Sequence, residues 1–399
     1  MFGTSVHGQF VCRLCYARTD QLFRPTCSNP KSFYIISSLG DRRYVFVPNL
    51  LDLELGKTAY VVIHKLCKVK PGESVLITID GREEFRVAEE IAKAAEAADA
   101  KVMVAWHSTP PGYGKVGDPY LPEPLKAAIP NTDVWIELNN QWLLYSTPWD
   151  IAMKPAVEGK GKVRYLFLGG LNLDQIVRCV GKIDIDTQAQ LQDMLVEMTR
   201  KGRKMRITAP AGTDVSFEND PKRPVTNELF ADTPGPHFLL GQIAWAPLEE
   251  SINGMIVYDG SYSGGGEADL GVLKSPIRVN VKNGKAVEFT GGAEAEAVKK
   301  WLQKVNDPNM YLAAHVCYGF NPGARLSGLC TEDERVWGCT EWGFGHQNPA
   351  FKAKGITAVS HADGICLKSS VWIDGLQIVD TGKLVHPELA KLAKRLGRE

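Results

Sequence analysis

Ser360-His361-Ala362-Asp363-Gly364 is the stretch around which the rest of the chain is organised. The preceding run, from Gly355 to Ser360, is short and rich in β-formers, which predicts that His361 and Asp363 lie at positions i and i+2 of an extended segment. Side chains two residues apart on a strand point to the same side of the sheet. An imidazole and a carboxylate presented together supply two ligands of a metal site. The alternative is a hydrogen-bonded pair at a strand end.

A third ligand is available in the stretch Ala313-Ala314-His315-Val316-Cys317, where His315 lies in a second β-rich context. Two histidines and one carboxylate on one face of a metal, with the other positions open, are the usual ligand set of the non-haem Fe(II) that activates oxygen. The sequence therefore predicts Fe(II) as cofactor, held by His315, His361 and Asp363.

The composition of the chain limits the kinds of molecule that it is expected to bind. The chain has 399 residues, enough for two domains, and its 46 basic residues balance its 46 acidic residues. No global electrostatic field would thus recruit nucleic acid or an anionic membrane. No uninterrupted apolar run approaches the roughly 20 residues that a membrane span needs. We expect a protein without nucleic-acid or membrane partners that binds a small molecule.

The nine cysteines are odd in number and scattered along the chain. This favours free thiols in a reducing cytoplasm over a disulfide framework. Cys12 and Cys15, with Cys27 beyond them, have the spacing of a zinc knuckle, but no second pair follows. Residues 1–45 lack clear periodicity and are better interpreted as an extension outside the fold.

Residues 46–195 have the pattern of an α/β domain with an open parallel sheet. A buried strand begins at Ser74, an amphipathic helix spans Glu83 to Ala97, and a second strand begins at Lys101. A strand, a helix and a strand with short connections indicate a parallel pair. No GxGxxG motif follows the first strand, which argues against a dinucleotide site.

Residues 196–399 have a different sequence pattern. For them we predict a mixed α+β domain that is rich in strands and carries the metal site. A strong helix from Ile185 to Lys201 spans the predicted boundary between the two domains. Short strands separated by glycine clusters and by the turn Asn283-Gly284 then indicate antiparallel hairpins. Two more helices are predicted, from Ala293 to Val305 and from Pro387 to Arg398.

Four motifs of the second half follow one another in a recognisable order. They are Gly241-Gln242 with Pro247, His315 with Asn321, Glu332 to Gly345, and His361-Ala362-Asp363. This layout resembles the aminopeptidase T family of metallopeptidases over roughly residues 50–385. The resemblance implies a two-metal site that uses the glutamates and histidines of all four motifs.

The departures from that pattern change the expected chemistry. Gln242 and His315 stand where the peptidases have glutamates, and Glu341 stands where they have a histidine. A neutral amide cannot supply a carboxylate's charge, and a two-metal centre needs bridging carboxylates. The remaining set is similar to that of the branch of this fold formed by the 2,5-dihydroxypyridine 5,6-dioxygenases, which implies one Fe(II) held by His315, His361 and Asp363.

Further residues are candidates for catalysis and substrate binding. A hydroxylated ring must lose a proton before it reacts, and His237 is the first choice of base, with a surface-loop histidine as the alternative. Glu341, in an apolar context, is predicted to orient a ligand imidazole or to accept a proton, unless it forms a structural ion pair. His107, at the end of a first-domain strand, Gln242 and His346 are the candidate substrate-binding residues.

A flat substrate also calls for aromatic walls. The candidates are Trp245, Trp337, Trp342 and Phe344, with burial in the core as the alternative.

Three functions are compatible with these patterns. The leading one is an Fe(II)-dependent dioxygenase that opens a hydroxylated N-heteroaromatic ring, with dioxygen as co-substrate. The second is a metal-dependent aminopeptidase with a rearranged site, and the third is a metal-free binding protein of the same fold. By analogy with relatives we expect a homo-oligomer.

Overall fold

The computed structural model describes residues 35–38, 43–46 and 50–399. Residues 1–49 and 50–399 are two separate compact units. In the first unit, the described strands β1 (Ile35–Ser38) and β2 (Arg43–Phe46) pair antiparallel. The zinc-knuckle spacing of Cys12, Cys15 and Cys27 falls outside the described residues.

Helices and strands alternate in the first part of the second unit, and strands dominate its later part. The helices are α1 (Leu50–Tyr60), α2 (Phe85–Glu96), α3 (Glu123–Ala128), α4 (Thr147–Val157), α5 (Leu173–Ile176), α6 (Ile185–Lys201), α7 (Ala293–Val305), α8 (Cys330–Asp333) and α9 (Pro387–Arg395). The strands are β3 (Ser74–Asp80), β4 (Lys101–His107), β5 (Val134–Glu137), β6 (Arg164–Phe167), β7 (Lys204–Thr208), β8 (Asp214–Glu218), β9 (Thr226–Glu228), β10 (Gly235–Phe238), β11 (Gln242–Trp245), β12 (Asn253–Tyr258), β13 (Ser261–Ser263), β14 (Gly271–Val272), β15 (Ile277–Lys282), β16 (Lys285–Gly291), β17 (Ala313–Gly319), β18 (Cys339–Gly345), β19 (His361–Cys366), β20 (Ser370–Ile373), β21 (Leu376–Asp380) and β22 (Lys383–Leu384).

The first sheet is five-stranded and parallel throughout, in the order β10-β6-β5-β3-β4. Its central strands β3, β5 and β6 are buried, because helices cover the sheet. The predicted open parallel sheet is therefore confirmed. β4 and β5 lie on opposite sides of β3, so the loops that leave their carboxyl ends diverge. In open α/β sheets, ligands bind in the crevice that such a divergence opens.

The remaining strands of the second unit form two larger sheets. One has seven strands, in the order β14-β13-β19-β18-β17-β11-β9, and the other has eight, in the order β16-β15-β12-β8-β7-β20-β21-β22. Every strand pair in both sheets is antiparallel. One apolar core contains side chains of both sheets and of α6, α7 and α9. The predicted mixed, strand-rich half is confirmed.

The helix α6 shows how local sequence defines an element. The Asp184 side chain accepts a hydrogen bond from the backbone N–H of Thr187 and caps the first turn. Leu191 and Leu195 are fully buried on one face, while Arg200 and Lys201 lie at the carboxyl end, where positive charge is favourable.

The domain boundary at 195/196 stays a prediction. β10 follows that boundary in sequence but pairs with β6 of the first sheet. No described helix is both long enough and apolar enough to cross a membrane. Within the described residues the cysteines are free thiols: Cys67, Cys179, Cys317, Cys330, Cys339 and Cys366.

Candidate metal centre

The register of the seven-stranded sheet brings two of the predicted ligands together. Gly343 of β18 lies opposite His315 of β17 on one side and opposite Asp363 of β19 on the other. Residues in register on neighbouring strands point to the same face. The strand β19 begins at His361, so the run Gly355–Ser360 precedes the strand instead of forming it.

His361 reaches the same place from two residues earlier on β19. Its ring stacks on the ring of His315, with centroids 5.1 Å apart and planes 7° apart. The predicted placement of His361 and Asp363 on one side is therefore what the structure shows. One ligand atom from each of His315, His361 and Asp363 lies within 4.8 Å of the others.

Hydrogen bonding fixes the ring of His361. Its Nδ1 lies 2.7 Å from the backbone carbonyl oxygen of His346, so Nδ1–H donates to that oxygen. In the neutral ring the lone pair is then on Nε2, which lies 2.8 Å from Oδ1 of Asp363. An anchored imidazole with its free nitrogen next to a carboxylate is the usual arrangement of a metal ligand.

Several atoms at this place lack hydrogen-bond partners. Among the described residues, Oδ1 of Asp363, Nδ1 of His315 and Oε1 of Glu341 are buried without one. Oδ1 of Asp363 thus approaches Nε2 of His361 closely but not with the geometry of a hydrogen bond. Buried polar atoms are almost always paired, so these unpaired atoms beside the predicted ligands fit a site that binds a cation.

Gly343 keeps this space open. A Cβ at this position would lie 2.3 Å from Cε1 of His315 and 2.8 Å from Cε1 of His361. Contacts that short do not occur, so any other residue would displace both rings. The glycine is therefore required by the imidazole pair.

Glu341 lies behind the imidazole of His315. It is completely buried, and its Oε2 lies 3.0 Å from Nε2 of His315. The thiol of Cys317, opposite Glu341 in the sheet, donates to the same oxygen at 2.6 Å. Glu341 therefore contacts a predicted ligand and has no solvent-accessible side-chain surface.

Gln242 belongs to a buried network beside the cluster. Its Oε1 accepts a hydrogen bond from Nη2 of Arg335 at 2.7 Å, and its Nε2 donates to Oε2 of Glu334 at 2.9 Å. Arg335 also pairs directly with Glu334. An amide can accept from the guanidinium and donate to the carboxylate, whereas a glutamate here would repel Glu334. Both polar ends of Gln242 are committed to this network.

A second group of ligand atoms shares one member with the first. Cys330, Glu334 and Asp363 also each place one such atom within 4.8 Å of the others. The thiol of Cys330 lies 2.8 Å from Oε1 of Glu334 and donates to it. This hydrogen bond explains why Cys330 and Glu334 lie close together, whereas the histidine cluster keeps unpaired atoms on His315 and Asp363.

The pKa values of the cluster follow from burial and from charge. Burial lowers the pKa of His315, which keeps its ring neutral and able to bind a metal. Burial also disfavours charge on His361 and Asp363, but the attraction between the two side chains is stronger than this effect. The pKa of His361 is therefore raised and that of Asp363 is lowered. Burial and the charge of Asp363 raise the pKa of Glu341 well above its usual range.

The other predicted histidines lie around the cluster and on the first sheet. His346 supplies its backbone carbonyl to His361, and burial lowers the pKa of its own ring. His107, at the end of β4, has its Nε2 2.6 Å from Nδ2 of Asn139. His237, on β10, has its Nε2 2.8 Å from the carbonyl oxygen of Thr233. The structure thus joins His346 to the cluster and leaves His107 and His237 on the other sheet.

The aromatic residues that approach the cluster are not the predicted ones. Trp245, Trp342 and Phe344 are buried in the core, and Trp337 packs against it. The ring of Phe351 contacts the cluster instead, with its centroid 5.4 Å from that of His315. Tyr113, from the loop after β4, lies near Ser360: a Cβ at Gly265 would be 2.5 Å from its hydroxyl and 3.7 Å from Oγ of Ser360.

The family model of 2,5-dihydroxypyridine 5,6-dioxygenases, NicX, matches residues 58–386 of this chain. A curated 2,5-dihydroxypyridine 5,6-dioxygenase of Pseudomonas putida KT2440 is 24% identical over 203 residues, which are 48% of this chain and 57% of that protein. The alignment therefore spans little more than half of that relative. The resemblance inferred from the motifs is confirmed at the level of the family.

Two solved structures share the fold. The 2,5-dihydroxypyridine dioxygenase of Pseudomonas putida KT2440 superposes with a TM-score of 0.68 at 19% identity, covering 86% of this chain and 100% of that one. Wild-type AmpT from Thermus thermophilus superposes with a TM-score of 0.58 at 14% identity, covering 84% and 100%. The peptidase and the dioxygenase thus share one architecture, and the distinction between them has to come from the site.

Proposed function

Because this chain belongs to the 2,5-dihydroxypyridine 5,6-dioxygenase family, we propose that it is a ring-cleaving dioxygenase. It uses one ferrous ion and acts on a hydroxylated N-heteroaromatic ring such as 2,5-dihydroxypyridine. The observation that carries the proposal is the convergence of His315, His361 and Asp363 on one point beside Gly343. The activity named for the similar proteins supports it.

The donor set fits ferrous iron. His315, His361 and Asp363 would hold the ion with two imidazoles and one carboxylate, and a bound Fe(II) would supply the activation of dioxygen. The protein's contribution is to hold the three side chains in place before the substrate arrives. The His346 carbonyl anchors His361, and the stacked rings leave His315 little freedom to rotate. Such fixed geometry replaces an encounter of separate reactants.

Glu341 is assigned to positioning. Its side chain is fully buried, and its Oε2 lies within hydrogen-bond distance of His315. A carboxylate next to a ligand imidazole fixes the ring's orientation and raises its basicity. This assignment selects the orienting role over the proton-accepting role that the sequence left open.

The remaining roles stay predictions of the sequence. His237 is proposed as the base that takes the proton of the ring hydroxyl. His107, Gln242 and His346 are proposed to contact the substrate. A cytoplasmic location and a homo-oligomeric assembly are proposed as well.

Oxygen consumption tests the proposal. The protein is purified and loaded with Fe(II) under anaerobic conditions and is then mixed with 2,5-dihydroxypyridine and oxygen. We expect oxygen and 2,5-dihydroxypyridine to be consumed in equimolar amounts. The His315→Ala variant should consume none. His64→Ala is the matched control, because His64 follows α1 and its ring contacts Tyr60 instead of a carboxylate.

Peptidase assays on the same samples separate the two chemistries. Release of amino acids from aminoacyl-anilides with zinc or cobalt, without iron-dependent oxygen consumption, would overturn the proposal. Oxygen consumption that survives removal of iron would overturn it as well.

A further inference from the structure

A β-bulge in β17 directs His315 toward the other predicted ligands. Ala313 lies opposite Phe344 of β18, and His315, two residues later, lies opposite the neighbouring Gly343. Ala314 is therefore an extra residue in β17. Bulges change the direction of the side chains that follow them and are frequent beside active sites. With regular pairing from Ala313 onward, the imidazole of His315 would point to the other face of the sheet.

The buried side chain of Gln347 binds the carbonyl group of this bulge. Its Nε2 donates to the carbonyl oxygen of Ala314 at 2.9 Å and to Oε1 of Glu249 at 3.0 Å. Its Oε1 accepts the backbone N–H of Gly355 at 2.8 Å and that of Ile356 at 3.4 Å. An amide has two N–H groups and two acceptor positions, so every hydrogen-bonding position of this side chain is occupied.

Gln347 also closes the segment 346–356, which we call the clamp loop. The backbone N–H of Gln347 donates to the carbonyl oxygen of Ile356 at 2.8 Å, beside the bonds that its side chain makes to the same end of the loop. Within the loop, Asn348 caps the short 3₁₀ turn Pro349–Phe351. One glutamine thus connects the bulge in β17 to a closed loop.

The clamp loop contacts both imidazoles of the cluster. The backbone carbonyl of His346, at the start of the loop, accepts Nδ1–H of His361 at 2.7 Å. The ring of Phe351 lies 5.4 Å from the ring of His315, centroid to centroid, with the planes 30° apart. Phe351 is itself buried in a small apolar cluster, which keeps its ring in place. One loop therefore holds one histidine through its backbone and the other through an aromatic ring.

We propose that the clamp loop, closed by Gln347, positions the imidazoles of His315 and His361 for the metal. The inference rests on the proposed function and adds Gln347 as a positioning residue that acts through the bulge and the loop. Without its amide, the buried carbonyl of Ala314 would lose this donor, which is costly. The bulge and the loop would then relax, and the two rings would no longer share one fixed arrangement before a metal binds.

NMR of the metal-free protein tests this role without iron. Isotopic labelling of the histidine nitrogens reveals ring N–H protons that are protected from exchange with water, and the signal of His361 is assigned by its absence in His361→Gln. In Gln347→Leu this signal should be lost through exchange. The signal of His107, whose Nδ1 bonds the carbonyl of Ser108, should remain as an internal control. A His361 signal retained in Gln347→Leu would contradict the proposal.

Iron affinity is the second readout. Anaerobic competition with a chelator should show about 10–100-fold weaker binding of Fe(II) by Gln347→Leu, the loss typical of groups that orient metal ligands. Gln188→Leu is the matched control, because Gln188 is a fully buried glutamine of α6 that donates to Gln192 and to the carbonyl of Phe320. This control should lose stability but keep its iron affinity. An equal loss of affinity in both variants would overturn the proposal.

A milder variant keeps the loop closed. Phe351→Leu removes the ring beside His315 but leaves Gln347 in place, so iron binding should weaken while the protected signal of His361 is retained. This variant decides the question when Gln347→Leu does not fold. Unchanged iron affinity in either variant would overturn the proposal. Wild-type protein that binds no iron would overturn the proposed function, whereas the His361 signal of metal-free Gln347→Leu would still decide the role of Gln347.

Discussion

Two buried glutamates, one in each half of the molecule, show the difference between a structural and a functional carboxylate. Glu137, at the end of β5, accepts the hydroxyl of Tyr165 and the N–H of Leu143, both at 2.5 Å. Glu341, on β18, has one oxygen with no hydrogen-bond partner among the described residues and lies beside Asp363. Both oxygens of the first carboxyl group are paired within the fold, whereas the second keeps an unpaired oxygen beside the predicted metal ligands.

The difference extends to the surroundings of each residue. The pairing of Glu137 fixes the turn that carries Tyr145, so its role is to shape a loop. The neighbours of Glu341 are His315 and Cys317, and beyond them lies the space that Gly343 leaves open. Buried carboxyl groups are costly in both places. At Glu137 hydrogen bonds offset that cost, and at Glu341 a bound metal would.

Removing a ligand should give the largest effect. Asp363→Ala deletes the only carboxylate of the predicted ligand set and is expected to abolish both iron binding and oxygen consumption. Glu137→Gln should retain iron, because that residue contacts no member of the set in the described structure. Metal analysis of both variants after anaerobic loading checks this contrast. Iron retained by Asp363→Ala would break it.

Filling the space beside the imidazoles should be nearly as severe. Gly343→Ala places a Cβ within 2.3 Å of the His315 ring and is expected to destabilise the protein by about 1–3 kcal/mol and to prevent stoichiometric iron binding. Gly56→Ala is the matched control, because nothing lies within 4 Å of its Cβ and alanine favours the helix. Chemical denaturation and metal analysis measure both effects. Full iron occupancy in Gly343→Ala would contradict the proposed geometry.

Neutralising the carboxylate behind His315 should weaken the site without destroying it. The pKa of Glu341 is raised by burial and by the charge of Asp363, and a cation bound beside it would favour loss of its proton. Glu341→Gln keeps the shape of the side chain but cannot become a carboxylate, and we expect about 10–100-fold weaker iron binding. Competition with a chelator measures the affinity. Unchanged affinity would place Glu341 among structural carboxylates, with Glu137.

The smallest effect should be on stability at Glu137. Burial raises its pKa from 4.5 to about 8, so the folded state keeps a proton that the unfolded state loses. The stability due to this proton is complete below pH 4.5 and is lost as the pH rises toward 8. The cost of Glu137→Gln should therefore be larger near about pH 5 than near about pH 8. Denaturation of both proteins across that range tests the sign, and a cost that grows with pH would contradict it.

Local pattern predicted much of this fold. The helix expected from Ile185 to Lys201 has those bounds, because its apolar stripe and its capping residue are both encoded nearby. The placement of His361 and Asp363 on one side was predictable for the same reason, because they lie two positions apart on one strand. The type of each sheet also followed from the spacing of apolar runs and turns.

Features set by distant contacts were not predictable in this way. The need for Gly343 depends on the register of three strands, and β10 returns to the first sheet after more than sixty intervening residues of other structure. The contact of Phe351 with His315 joins segments that are distant in sequence, so core residues such as Trp342 were predicted to line the pocket instead. A sequence periodicity carries none of this information.

Anomalous diffraction from crystals grown anaerobically with Fe(II), recorded on both sides of the iron absorption edge, tests the central claim most directly. We predict a single iron peak bound by His315, His361 and Asp363. Two peaks that share Asp363, with the second beside Cys330 and Glu334, would contradict a site for one metal. A peak that none of the three predicted ligands contacts would contradict the site itself.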